Sequence, residues 1–210
     1  MKIKAVIFDL DNTVYPVSSI GGELFEPIFS LITNSKEYEG DLDAIKKDIM
    51  RKPFQKVAHE YHFSEKLTTD GIKMLTSLTY HKPMRPFDDY EMTRNIPCKK
   101  FLVTTGFIKM QESKIKQLGI EEDFERIYIV DPTVVNQTKK DIFKHILEHF
   151  AFNAAEVLVV GDDPNSEIQA ANELGINTVL YDKMNFNPEI KNVRRVTNFA
   201  DLLKMTNSNL

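Results

Sequence analysis

The sequence predicts an α/β fold with a Rossmann-like, three-layer α/β/α core and a parallel sheet. Several short apolar runs, rich in valine, isoleucine and phenylalanine, are typical of strands that are buried on both faces. Between these runs lie segments with helical periodicity, and two of them end at Gly119 and Gly175, where a glycine favours the end of a helix. Strands that alternate with helices in this way indicate βαβ units and a doubly wound sheet.

The predicted elements follow one another in a regular order. Strands are predicted at residues 5–8, 100–104, 126–130, 157–161 and 178–181. Helices are predicted at residues 108–118, 142–150 and 167–174, the second of them after a capping pattern from Thr138 to Asp141. A last strand and helix, over about residues 194–205, closes the predicted fold.

Residues 16–86 interrupt the alternation of strands and helices. Helical patterns cover residues 23–32, 42–51, 54–61 and 65–78, with no convincing strand pattern among them. A connection of about seventy residues is far longer than the two to six residues usual between a strand and a helix. We therefore predict a small helical cap over residues 16–86, inserted after the first strand, and a core formed by residues 1–15 and 87–210.

Composition and charge restrict the class of protein. With 210 residues, 42% of them hydrophobic, the chain can bury a sizeable core, and its net charge of −4 does not indicate nucleic-acid binding. No apolar run reaches the roughly 18 residues of a transmembrane helix, and no signal-peptide pattern follows Met1. The single cysteine, Cys98, cannot form an internal disulfide. We expect a cytoplasmic monomer or homodimer with no membrane or nucleic-acid partner.

Two aspartates, Asp9 and Asp11, come directly after the first predicted strand. Residues two apart in a strand point to the same side, so both carboxylates should project together while Leu10 faces away. Carboxylates this close repel each other unless a proton, a cationic side chain or a divalent metal ion compensates their charge. Because ligands bind at the carboxyl ends of strands in open α/β sheets, this position favours a metal ion and an active site.

Other polar groups should reach the same edge of the sheet. They are Thr104 and Thr105 after the second strand, Lys139 and Lys140 before the helix at 142–150, and Asp162, Asp163 and Glu167 after the fourth strand. Hydroxyl groups, a lysine and carboxylates that converge at one edge form a site for a phosphoryl group and Mg²⁺, which binds carboxylate, water and substrate oxygens.

These segments resemble the motifs of the haloacid dehalogenase-like (HAD) superfamily of phosphohydrolases. Phe8-Asp9-Leu10-Asp11-Asn12-Thr13 is similar to the first motif, D-x-D-x-T, and Leu102-Val103-Thr104-Thr105-Gly106 is similar to the second, a strand that ends in threonine or serine. Val160-Gly161-Asp162-Asp163 resembles the fourth motif, and the predicted helical insert resembles a C1-type cap. The resemblance extends over the whole chain.

The resemblance implies a phosphatase mechanism with Mg²⁺ as the cofactor. Asp9 would attack the phosphorus atom and form an aspartyl-phosphate, while Asp11 would protonate the leaving alkoxide and then deprotonate the hydrolytic water. The Mg²⁺ ion would be held by Asp9, the backbone carbonyl of Asp11, and Asp162. The residues expected to bind the phosphorylated small-molecule substrate are Thr104, Thr105, Lys139 and Asn12.

Two motifs depart from the family pattern. The third motif is usually a lysine, often followed by proline, and here Lys139 and Lys140 both stand in its place. Lys139 has one of the family spacings to the following helix. In the fourth motif, Glu167 occupies the position of a second aspartate, so either Asp163 or Glu167 should complete the coordination of the metal.

The predicted substrate is a small phosphate monoester, either a nucleoside monophosphate or a sugar phosphate. A phosphomutase is an alternative, because it uses the same catalytic core and differs chiefly in how its cap admits a sugar and excludes water. A non-catalytic module that binds Mg²⁺ and phosphate is a second alternative, although such a module needs no second aspartate two residues after the first.

Overall fold

A computed structural model describes residues 2–134 and 137–207 of the chain, and its centre is a parallel β-sheet. The six strands lie in the order β3-β2-β1-β4-β5-β6. Their bounds are Ala5–Phe8 (β1), Lys99–Thr105 (β2), Arg126–Val130 (β3), Val157–Gly161 (β4), Asn177–Tyr181 (β5) and Arg195–Val196 (β6). All neighbouring strands pair in parallel, which confirms the predicted α/β fold class with a Rossmann-like core.

The helices divide into a group before β2 and a group after it. The first group, between β1 and β2, is Gly21–Leu24 (α1), Glu26–Ser35 (α2), Leu42–Ile49 (α3), Phe54–Glu60 (α4) and Glu65–Ser77 (α5). The second group is Ile108–Leu118 (α6), Lys139–His149 (α7), Gln169–Asn172 (α8) and Phe199–Asn207 (α9). None of the helices in the described ranges is long and apolar enough to cross a membrane.

Alternate residues of β1 pack on opposite faces of the sheet, as the two-residue period of a strand requires. Val6 and Phe8 belong to a core that also contains residues of α6, α9 and the first helix group. Ala5 and Ile7 belong to a second core, with residues of α7 and α8. The sheet is therefore buried on both faces. Polar functional side chains are expected at the ends of the strands rather than on the faces of the sheet.

Three of the predicted helices differ from the observed ones by more than a residue or two, each for a local reason. Helix α7 begins at Lys139 because the Thr138 and Asp141 side chains form a capping box directly before it. The predicted helix at 23–32 is divided into α1 and α2, and Pro27 lies in the first turn of α2, where its missing N–H is tolerated. The predicted helix at 167–174 begins earlier, as a π-helical turn at Pro164–Ile168 that continues into α8.

The segment between β1 and β2 leaves and rejoins the sheet at one place. The backbone N–H of Phe87 donates to the carbonyl of Val14 at 2.9 Å, so the two ends of the segment are adjacent. The N–H of Tyr80 donates to the hydroxyl of Ser113 on α6 at 2.9 Å, which ties the returning chain to the core. This segment contains the helices predicted for a cap, and the division of the chain into core and cap stays a prediction.

Candidate active site

The turn after β1 brings Asp9 and Asp11 into the same cavity. The backbone N–H of Asp9 donates to the carbonyl of Val160 at 2.9 Å, so the hydrogen bonding between β1 and β4 extends to Asp9. Leu10 is fully buried in the core on the other side. The N–H groups of Thr13 and Val14 both donate to the carbonyl of Leu10, which closes a tight turn. The alternation predicted from the sequence therefore orients both carboxylates towards one space.

Asn12 is the residue that makes this turn possible. Its φ of 60° lies in the left-handed region, which asparagine adopts more readily than most residues. Its side-chain Oδ1 accepts a hydrogen bond from the N–H of Val17 at 3.1 Å. The Asn12 side chain thus orders the chain that leaves β1, and it also lines the cavity.

The side chains of Lys139 and Lys140 lie in different environments although the two residues are adjacent. Lys139 is buried, and its Nζ lies 2.6 Å from Asp9 Oδ1 and 2.7 Å from Glu167 Oε2. Lys140 is at the surface, where its Nζ lies 2.7 Å from Glu173 Oε2. The start of α7 directs only the first of the two lysines to the strand ends.

Three buried carboxylates form a cluster beneath the cavity. One oxygen each of Asp9, Asp162 and Glu167 lies within 4.8 Å of the others. Glu167 packs so closely on Gly161 that a Cβ at that position would overlap its carboxylate. The other Glu167 oxygen, Oε1, accepts a hydrogen bond from the N–H of Asp163 at 2.7 Å. The π-helical turn after β4 therefore folds Glu167 back onto the strand end.

The electrostatics of this cluster fit a divalent cation. Burial raises the pKa of Asp9 to about 7, although Lys139 opposes the shift. Burial, with repulsion from Glu167 and Asp9, also raises the pKa of Asp162. With all three carboxylates ionised and Lys139 protonated, the formal charges of −3 and +1 would sum to −2 in a buried space, and the raised pKa values of Asp9 and Asp162 reflect the cost of that charge without a cation. One Mg²⁺ ion would balance that charge, and carboxylate oxygens are the ligands that it prefers.

The two candidates for completing the metal coordination have different partners. Glu167 belongs to the carboxylate cluster. Asp163 is half-buried, and its Oδ1 accepts a hydrogen bond from the N–H of Asn165 at 2.8 Å, which caps the π-helical turn. The geometry thus favours Glu167, which the π-helical turn after β4 folds back towards Asp9 and Asp162.

Asp11 lies among donors that the sequence did not identify as site residues. Its Oδ1 accepts hydrogen bonds from the Tyr15 hydroxyl at 2.5 Å and from Lys114 Nζ at 3.0 Å. Its Oδ2 accepts hydrogen bonds from Gln111 Nε2 at 3.0 Å and from Lys114 Nζ at 3.2 Å. Burial by itself raises the pKa of Asp11, but Lys114 and the two neutral donors outweigh that effect and hold it below its usual value.

Gln111 also links Asp11 to the end of β2. Its Nε2 lies 2.6 Å from Thr104 Oγ1 and 3.2 Å from the carbonyl oxygen of Thr105. A Cβ at Gly106 would overlap the Gln111 side chain, so a glycine is needed there. Lysine and glutamine on an amphipathic helix are usually solvated, and this is why sequence periodicity missed both Gln111 and Lys114.

All of the predicted site residues line one cavity of about 180 Å³. They are Asp9, Asp11, Asn12, Thr104, Thr105, Lys139 and Asp162. Another part of the cavity lining comes from the segment between β1 and β2, and this wall is largely apolar: Val17, Phe25, Ile49, Met50, Phe54 and Leu75. Two cations, Arg51 and Lys52, complete that wall.

Both cations of this wall interact with residues outside the carboxylate cluster of Asp9, Asp162 and Glu167. Lys52 Nζ pairs with Asp48 at 2.8 Å and with Glu60 at 2.7 Å. The Arg51 guanidinium stacks on the ring of Phe186, with 3.9 Å between its carbon and the ring centroid. The Arg51–Phe186 contact joins the segment between β1 and β2 to the loop after β5.

A family model of haloacid dehalogenase-like hydrolases matches residues 3–175. The chain belongs to this family. It is 28% identical over 197 residues to a glyceraldehyde 3-phosphate phosphatase of Methanopyrus kandleri, with 84% of this chain and 83% of that protein covered. It is 26% identical over 199 residues to a protein of the same name from Methanocaldococcus jannaschii, with 84% of each chain covered.

The fold of this HAD-family chain is similar to that of solved family members. One is the HAD-hydrolase YfnB of Bacillus subtilis in its magnesium-bound form, with a TM-score of 0.66. The alignment covers 99% of this chain and all of that chain at 14% identity. The similarity to YfnB therefore concerns the fold.

Proposed function

We propose that this HAD-family hydrolase is a Mg²⁺-dependent phosphatase that hydrolyses a small sugar phosphate through an aspartyl-phosphate intermediate. The observation that carries the proposal is the position of Lys139 between Asp9 and Glu167, beneath a cavity that also exposes Asp11. A lysine in this position offsets the repulsion between an attacking carboxylate and a phosphate dianion.

In the proposed reaction, Asp9 is the nucleophile and Asp11 is the acid and base. A carboxylate oxygen of Asp9 attacks phosphorus, and the bond from phosphorus to the leaving oxygen breaks as Asp11 donates a proton to that oxygen. Asp11 then takes a proton from the water that attacks the aspartyl-phosphate, and inorganic phosphate leaves. The phosphoryl oxygens are bound by Thr104, Thr105, Lys139 and Asn12.

The residues that would hold Mg²⁺ are Asp9, Asp162 and Glu167, together with the backbone carbonyl of Asp11. The first three are the carboxylate cluster, whose residual charge of −2 supports a divalent ion. When bound, Mg²⁺ neutralises the carboxylates and the phosphate dianion.

The cavity supports a sugar phosphate rather than a nucleoside monophosphate as the substrate. Its volume of about 180 Å³ is below the roughly 300–1,000 Å³ typical of small-molecule pockets. Both curated relatives named above are phosphatases of a three-carbon sugar phosphate. We assign residues 16–86 the role of a cap that closes the cavity, excludes water and selects the substrate by its apolar wall.

The test is release of inorganic phosphate from glyceraldehyde 3-phosphate, a hexose phosphate and a nucleoside monophosphate, with and without Mg²⁺. We expect the triose phosphate to give the highest kcat/KM and the activity to require Mg²⁺. Asp9→Asn should lower kcat by about 10⁴-fold or more, because it removes the nucleophile at constant size.

The matched control is Asp43→Asn, an exposed aspartate on α3, which should keep wild-type activity. Mg²⁺-dependent activity that survives Asp9→Asn would overturn the assignment of the nucleophile. Transfer of the phosphate to a second sugar hydroxyl, without free phosphate, would identify a mutase instead.

A further inference from the structure

The ammonium group of Lys114 is buried in the interior, and the roles assigned above leave it unexplained. Lys114 is on α6, its side chain is only 3% exposed, and its helix face also carries the buried residues Met110, Ile115 and Leu118. Its Nζ contacts both oxygens of Asp11, and it lies 6.0 Å from the ring centroid of Tyr15. A buried ammonium is costly unless it is paired, so an apolar residue would serve packing at least as well here.

Lys114 is one of three donors that restrain the Asp11 carboxylate. Asp11 Oδ1 accepts hydrogen bonds from Tyr15 and Lys114, and Asp11 Oδ2 accepts hydrogen bonds from Gln111 and Lys114. Three donors on two oxygens determine both the direction of the side chain and the plane of its carboxylate.

One of these donors, Gln111, also connects Asp11 to Thr104, a residue proposed to bind the phosphate. Gln111 donates to Asp11 and to Thr104 from one nitrogen atom, so the acid–base group and the end of β2 share a single support. Helix α6 presents Gln111 and Lys114 on one face, three residues apart, and this spacing allows both side chains to reach the same carboxylate.

We propose that Lys114 is a positioning residue for the acid–base step, and that it acts on Asp11 together with Tyr15 and Gln111. This inference rests on the proposed function. Lys114 acts through Asp11, whose carboxylate oxygens both lie within hydrogen-bond distance of its Nζ. It keeps the Asp11 side chain aimed at the oxygen that leaves phosphorus. Beside the bound phosphate dianion, which favours the protonated acid, Asp11 gives its proton to that oxygen as the bond from phosphorus breaks, and it regains a proton from the water that hydrolyses the aspartyl-phosphate.

The proposal makes the effect of Lys114 depend on the leaving group. An alkoxide, such as the one released from a sugar phosphate, needs a proton as it departs. A nitrophenolate departs without one. Loss of the positioning residue should therefore slow the cleavage of alkyl phosphates much more than the cleavage of aryl phosphates.

The experiment compares Lys114→Met, Lys114→Arg and the wild type on glyceraldehyde 3-phosphate and on p-nitrophenyl phosphate with saturating Mg²⁺. Single-turnover release of the alcohol or nitrophenol isolates the first chemical step. For Lys114→Met we expect this step to fall about 100-fold with the alkyl phosphate and less than about 10-fold with the aryl phosphate, as loss of acid catalysis requires. KM should stay within about threefold, since ground-state binding is retained.

Two further variants separate positioning from folding. Lys114→Arg should restore most of the lost rate, because a guanidinium keeps the charge and the donors. The matched control is Lys116→Met on the same helix, which is exposed and should behave as the wild type. If Lys114→Met does not fold, Tyr15→Phe carries the test, because it removes one donor to Asp11 and leaves the ion pair in place.

The inference is overturned if a folded Lys114→Met variant keeps the wild-type rate, or if alkyl and aryl phosphates slow by the same factor. In the fallback experiment, equal slowing of both substrates by Tyr15→Phe overturns it as well. These results differ from failure of the proposed function, in which the wild type itself releases no phosphate or Asp9→Asn remains active.

Discussion

The two sides of the cavity differ in chemistry, although both are made by the same chain. The floor, at the carboxyl ends of β1, β2 and β4 and the start of α7, carries carboxylates, lysines and hydroxyls that contact one another. The roof, from the segment between β1 and β2, presents mainly apolar side chains, such as Met50, Phe54 and Leu75. The two cations of the roof have partners outside the cavity lining: Lys52 pairs with Asp48 and Glu60, and Arg51 stacks on Phe186.

This difference suggests a division of roles, in which the floor carries out the reaction and the roof selects the substrate. Each ionic group of the floor depends on another one, so single substitutions there should change activity, metal binding and stability together. The apolar side chains of the roof line the cavity and carry no ionisable group, so substitutions there should change which substrate fits. The following predictions test that separation, beginning with the largest expected effect.

The largest effect should come from Lys139, compared with its neighbour Lys140. Lys139→Met leaves Asp9 and Glu167 buried without their counter-ion, so we expect a loss of about 3–5 kcal/mol in the free energy of unfolding and of all activity. Lys140→Met breaks only the exposed pair with Glu173 and should cost less than about 1 kcal/mol. Urea unfolding without divalent cations measures both. Equal losses for the two variants would contradict the distinct roles of these lysines.

An intermediate effect is expected for Asp162→Asn, measured as the stabilisation of the protein by Mg²⁺. Mg²⁺ at about 100 times its Kd should stabilise the wild type by about 2.7 kcal/mol, and Asp162→Asn should abolish the corresponding rise in Tm. The metal-free variant should be at least as stable as the wild type, because the substitution relieves repulsion among Asp9, Asp162 and Glu167.

The control for the metal response is Asp163→Asn. Asp163 caps the π-helical turn and is not part of the carboxylate cluster, so this variant should keep its response to Mg²⁺. A normal Mg²⁺ response in Asp162→Asn, or a lost one in Asp163→Asn, would place the cation elsewhere.

The smallest effect should come from the roof. Met50 lines the cavity and packs on Gly21, so Met50→Ala should widen the space above the floor. We expect the ratio of kcat/KM for a hexose phosphate to that for a triose phosphate to rise about 10-fold, the scale of a few methylene groups in a pocket. Met92→Ala, an exposed methionine outside the cavity, is the control and should leave the ratio unchanged. A changed kcat with an unchanged ratio would mean that the roof takes part in the chemistry.

The sequence predicted the architecture well because its signals are local. The apolar runs of β1 and β4 and the alternation of Asp9, Leu10 and Asp11 depend on neighbouring residues alone, and each has the expected place in the sheet. The capping pattern of Thr138 and Asp141 was also correct, although α7 begins three residues before the predicted start and ends one residue before the predicted end. The start of the helix after β4 was placed too late, because the π-helical turn has no strong sequence pattern.

What the sequence by itself determined is therefore the order of the strands and helices and the set of polar residues at the strand ends. The tertiary structure decided which members of that set meet: Lys139 rather than Lys140 at Asp9, and Glu167 rather than Asp163 beside Asp162. It alone revealed that Lys114, more than a hundred residues along the chain from Asp11, supports that carboxylate. The physical reason is that periodicity and capping act over a few residues. A buried ion pair instead depends on how whole elements pack, and no spacing in the sequence records that.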